Sequence, residues 1–273
     1  MNSSPIVLFI LLFLLHPPTV DSMDRPWSAR HRGLSGARCI LSADLASVAV
    51  NPAGMAGLES FSASVSFTPG IFGLPELQTH SVLVGTPVSF GGIGLGVSSF
   101  GFELYRETCV ILGGGIIMNK DLALGLSTEF RRYTIKGYGA QTLVLLNVSV
   151  LQKFHDLLTI SGTIENGLNA SLGNKEDRLP RAISLGVVFT LDPAFLAVCE
   201  VEKDSRDAAF LKAAIEFRPV PSVALRSGFS SDPITWSFGC TISAGFLSFG
   251  YGGTSHVVLG WTHQWDVDVR WPE

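Results

Sequence analysis

The sequence predicts an all-β chain closed into a transmembrane antiparallel up-and-down β-barrel of about fourteen strands, with about twelve also compatible. Three observations lead there. The 273 residues are 47% hydrophobic and only 15% charged, against about 25% charged in an ordinary soluble domain, and the mean hydropathy is +0.37. Past the N-terminus no apolar run reaches the roughly 18 to 20 residues that a spanning helix needs; the most apolar stretch, "LVLLNVSVL" at Leu143–Leu151, is broken by Asn147 and Ser149. Period-two segments separated by turn residues then recur to the end of the chain. A hydrophobic chain without a membrane helix satisfies its backbone in lipid only as a closed barrel, where every donor and acceptor pairs between strands.

Residues 1–22 read as a secretory signal peptide. The apolar run "SPIVLFILLFLL" at Ser4–Leu15 is followed by Pro17 and Pro18, and Val20 and Ser22 stand at the positions expected before a cleavage ahead of Met23. The segment before the apolar run has no Lys or Arg, so a start at Met23 is the competing reading.

Residues 23–58 form a distinct segment whose last part, Ser42–Gly57, is an apolar, small-residue run with Asp44 as its single acidic residue and the chain-reversing Asn51-Pro52-Ala53-Gly54 near its end. Residues 59–273 read as strands. In "DLALGLSTEF" Leu122, Leu124, Leu126 and Phe130 share one face; in "AISLGVVFTL" Ile183, Leu185, Val187 and Phe189 do so; in "ITWSFGCTI" Ile234, Trp236, Phe238 and Ile242 do so. The opposite faces carry Gly, Ser, Ala and Thr. A soluble sandwich alternates as well, but its outer face would carry more charge. Turn signals such as "NKD" at Asn119, "KGYG" at Lys136, "EKDSRD" at Glu202 and "SSDP" at Ser230 leave runs of roughly 9 to 11 residues between them, the length of a tilted spanning strand.

The same parity locates charge in the lumen. It points Glu200 and Glu202 inward, then Lys212 and Glu216 on the next strand, then Arg226 on the one after. With turns centred near Arg206 and near the Val220–Pro221 bond, Glu200 lies opposite Lys212 and Glu216 near Arg226, an interior ladder of paired charges. The competing placement is at strand ends in water, where such pairs contribute little.

Chemistry that would make an enzyme is absent from the motifs. There is no GxSxG elbow and no HExxH, and the glycine runs "GGIGLG" at Gly91 and "LGGGI" at Leu112 lack the Lys-Ser or Lys-Thr of a phosphate loop. Those glycines are expected to serve barrel curvature. Cys39, Cys109, Cys199 and Cys240 are scattered without metal-ligand spacing. No catalytic residue, metal or cofactor is expected, and a net charge of -4 leaves no nucleic-acid footprint.

The segment "SADLASVAVNPAGMA" at Ser42–Ala56 resembles the "ADDASAxxxNPAGLA"-like element that precedes the first strand in outer-membrane barrels of the PorV/PorQ group, itself distantly similar to the FadL-type long-chain fatty acid channels. It matches at Ala43, Asp44, Ala46, Ser47, Asn51, Pro52, Ala53, Gly54 and Ala56, with Leu45 in place of a second acidic residue. Downstream, "KAAIEFRPVPSVALRSGFSSDP" at Lys212 and "SFGCTI" at Ser237 look like the last third of those barrels. The resemblance implies that residues 23–58 fold into the lumen as a plug or hatch, with Asp44 pairing a lumen base or capping a short helix and Asn51, Pro52 and Gly54 turning the chain into the first strand. The competing reading is a periplasmic connector.

The resulting expectation is a non-enzymatic protein of the bacterial outer membrane, exported through a cleaved signal peptide. Passive FadL-like transport of a hydrophobic or small solute is the first function class. A PorV-like scaffold or cargo-attachment component of a secretion system is the second, and a closed structural barrel the third. The partners are outer-membrane lipid, a hydrophobic solute in the first class and secretion-system proteins in the second.

Overall fold

The computed structural model describes residues 26–39, 42–171, 179–205 and 208–271; the expected signal peptide and the turn centre at Arg206 lie outside them. The chain opens with a short helix α1 (Ala29–Gly33), a second, α2 (Ser47–Val50), and a 3-10 helix (Pro52–Gly57). Strands follow: β1 (Ser62–Thr68), β2 (Thr79–Val88), β3 (Gly91–Gly101), β4 (Tyr105–Asn119), β5 (Leu122–Ile135), β6 (Gly139–Phe154) and β7 (Leu158–Ile164). The second half is β8 (Ala182–Asp192), β9 (Phe195–Asp204), β10 (Phe210–Val220), β11 (Val223–Ser231), β12 (Ile234–Ala244), β13 (Leu247–His256) and β14 (Gly260–Arg270). Each strand pairs antiparallel with its sequence neighbours, and β1 pairs with β14 from Ser62↔Arg270 to Phe67↔Trp265, which closes the barrel. Among the described residues the barrel has fourteen strands, and no helix is long and apolar enough to cross a membrane.

Alternation decides which side each residue takes. Leu112, Leu126, Trp236, Phe249 and Val267 are exposed on the outer wall, while their strand neighbours Ile111, Ser127, Ser237, Gly250 and Asp266 face inward and are buried. An apolar belt of this extent around a molecule is far larger than a water-facing surface carries, and lipid is the solvent that suits it.

The two ends of the barrel differ. At the end where β1 starts and β14 stops, the connections are two or three residues: 89–90, 120–121, 155–157, 193–194, 221–222 and 245–246. The opposite end carries the longer connections, 69–78 and 165–181 among them. We refer to these as the termini end and the loop end.

The apolar core sits inside the barrel. Leu34, Leu45, Val48, Val50 and Met55 of the N-terminal segment pack against Leu83, Ile111, Val188 and Val198 of the wall. The described residues between 26 and 58 thus lie in the lumen as a plug packed against the inner wall.

Candidate functional site: a plugged lumen between two vestibules

The plug is built from local signals. The Ser28 side chain accepts from the His31 amide at 3.1 Å and caps α1. Ser35 and Gly36 take positive φ (54° and 68°) and turn the chain after it. Asp44 accepts from the Ala46 amide at 2.9 Å, and Pro52 opens the 3-10 helix, where its fixed φ suits the first turn.

Charges then tie plug to wall. Arg30 reaches Glu216 of β10 through Nε at 2.9 Å and Asp44 of the plug itself through Nη1 at 3.1 Å. Glu216 also accepts from Arg226 Nε and from Arg218 Nη2, each at 2.7 Å, so three guanidinium groups share one fully buried carboxylate. Arg38 pairs Glu202 at 3.3 Å and Glu165, and Lys212 Nζ donates to Glu202 at 2.7 Å and to the Gly36 carbonyl at 2.9 Å.

Two wall carboxylates hold the plug by its backbone instead. Glu200 Oε2 accepts from the amides of Arg38 (2.9 Å) and Cys39 (2.8 Å), and Asp266 accepts from the amide of Ala29. Such charge-assisted bonds are stronger than neutral ones. Burial first, and then the adjacent Glu200 carboxylate, push the Cys39 thiol well above its ordinary range, which leaves it an inert packing group.

Glycines on the inner wall let the plug backbone lie close. A Cβ at Gly125 would stand 1.9 Å from the Ala53 nitrogen, one at Gly92 2.2 Å from the Met55 oxygen, and one at Gly115 2.6 Å from the Pro52 oxygen. The sequence reading assigned the glycine runs of β3 and β4 to curvature. In the structure their inward members Gly92 and Gly115 are seats for the 3-10 helix.

Above and below the plug lie two separate vestibules that share no lining residue among those described. The loop-end one, of about 600 Å³, has an apolar rim of Ile71, Phe72, Leu77, Phe100 and Phe210. The termini-end one, of about 500 Å³, is polar, with Arg30, Asp44, Arg218, Arg226 and Asp268 on its walls.

Each residue singled out from the sequence has a definite place. Asp44 bridges α1 and the start of α2; Asn51 holds the Arg38 carbonyl at 3.3 Å and the Ser161 hydroxyl at 3.0 Å. Pro52 and Gly54 lie in the buried 3-10 helix against the wall, rather than in a simple reversal. Glu200 registers with Lys212 and Glu216 with Arg226, but the Lys212 ammonium bonds Glu202. Sequence reasoning missed Arg30, Arg38 and Asp266. A signal existed: "ARHRGLSGAR" at Ala29–Arg38 is rich in base, and inward carboxylates within strands require counter-charge.

No protein-family model and no curated protein matches the chain. Among solved structures, a FadL homologue of Pseudomonas aeruginosa superposes with a TM-score of 0.64 at 11% identity, covering 89% of this chain and 98% of that one. The toluene transporter TodX of Pseudomonas putida gives 0.65 at 9% identity, with 91% and 99% covered. The toluene transporter TbuX of Ralstonia pickettii gives 0.66 at 8% identity, with 90% and 98% covered. At these identities the likeness shows a shared barrel fold.

Proposed function

We propose that this chain is a non-enzymatic outer-membrane barrel through which a small hydrophobic solute crosses passively, with residues 26–58 as the plug that governs passage. The observation that carries the reading is the divided lumen: an apolar-rimmed vestibule, a plug, and a polar vestibule in series. An apolar solute moves from water into the first of these without an energy source. The transporters named above lend support through their common fold.

On this reading the loop end faces outside and the short turns face the periplasm. Residues 1–22 export the chain, the PorV/PorQ-like element supplies the plug, and the ladder from Glu200 to Arg226 seats it.

A reversible lock tests the proposal. A Cβ at Gly250 of the wall would lie 3.5 Å from the Ala29 Cβ of the plug, a separation that suits a disulfide in an Ala29→Cys, Gly250→Cys double variant. In liposomes the oxidised variant is expected to lose uptake of toluene, and a reductant to restore it. Equal uptake when locked would refute the plug's role. No uptake by any form, the native chain included, would refute transport and leave the scaffold class.

A further inference from the structure

We infer that the loop-end vestibule admits uncharged and cationic apolar solutes and turns away carboxylates, a selectivity that rests on the transport reading and names its substrate class. Among the described residues the vestibule is lined by four carboxylates, Glu107, Glu202, Asp204 and Asp232, and by two bases, Arg32 and Lys212. Both bases are engaged. Arg32 Nε donates to Gln264 Oε1 at 2.9 Å, and Lys212 Nζ is held between Glu202 and the Gly36 carbonyl. Glu107 accepts the Tyr105 hydroxyl at 2.6 Å, an arrangement that suits an acceptor.

A carboxylate that left water for this chamber would give up its hydration and meet acidic oxygens in a medium where charges interact more strongly than in bulk. To gain a base it would have to take Lys212 from Glu202, which would give up its 2.7 Å contact and keep only the longer one, 3.3 Å, with Arg38. An uncharged solute meets none of this opposition, and the aromatic rings of Phe72, Phe100 and Tyr105 in the lining suit a cation as well as a neutral ring. The barrel is not short of bases. Arg30, Lys153, Arg218, Arg226 and Arg270 line the other vestibule, beyond the plug, where they cannot receive an arriving anion. Like-charge placement at a binding surface is a recognised source of selectivity.

The test compares three probes with one ring, benzyl alcohol, benzylamine and benzoate, binding to the full chain in nanodiscs at neutral pH by saturation-transfer NMR with competition. The alcohol and the amine are expected to bind at least ten-fold more tightly than benzoate. Asp232→Asn, at the exposed edge of the chamber, and separately Glu107→Gln are each expected to narrow that gap about three-fold. Benzoate binding as tightly as the alcohol would overturn the inference, as would a gap unchanged in both folded variants. Failure of all three probes to bind would remove the transport reading itself, and the selectivity with it.

Discussion

Glu216 accepts from three guanidinium groups, those of Arg30, Arg218 and Arg226. Arg226 is buried beside it and Arg30 nearly so, whereas the Arg218 side chain is 45% exposed. Removing the carboxylate leaves two buried guanidinium groups without their shared partner, so Glu216→Ala is expected to cost about 3–5 kcal/mol in urea unfolding. Arg218→Ala, which deletes the water-screened member, is expected to stay within about 1 kcal/mol. Equal stability of the two variants would show that the cluster does not bear on folding. Gly125 belongs to the same scale: an added methyl would collide with the Ala53 backbone, and Gly125→Ala is expected to loosen the plug. Faster proteolysis of the plug in an intact barrel would register that, and native-like protection would contradict it. Inward parity of Glu216 and Arg226 was legible from alternation; Arg30, 186 positions away from Glu216, was not.

Strands act through their two faces. Leu112 is at the middle of β4 and exposed on the outer wall, so Leu112→Arg is expected to destabilise the barrel in bilayers by about 2–4 kcal/mol. A neutral result in bilayer refolding titrations would mean that this face does not meet hydrocarbon. The faces were legible because alternation is a property of each strand alone. Strand heights were not. β6 spans 16 residues and its neighbour β7 only 7; beyond β7 the connection continues the contact, with the Gly167 amide donating to the Leu146 carbonyl at 2.8 Å and the Asn166 amide to Asn147 Oδ1 at 3.1 Å. Where a strand ends depends on the neighbour it pairs with, and a polar run such as Gly167–Pro180 does not announce that.

At the scale of the whole molecule, closure between β1 and β14 removes every sheet edge, and the filled interior makes the closed form compact. An unheated sample is therefore expected to migrate faster than a boiled one on a detergent gel. Identical mobility would argue against a closed barrel and return the chain to a sandwich.

The sequence by itself determined that this chain is a barrel and which strand residues face outward. Low charge, the absence of a second long apolar run and period-two patterning are local properties, read without knowing any neighbour. Only the tertiary structure decided what the plug touches. Glu200 accepting the plug amides of Arg38 and Cys39, the glycine seats at Gly92, Gly115 and Gly125, and the split into an acidic, aromatic vestibule and a basic one all arise when closure brings distant strands around one segment. Alternation specifies the side of a wall on which a residue lies, and carries no information about what stands across the lumen from it.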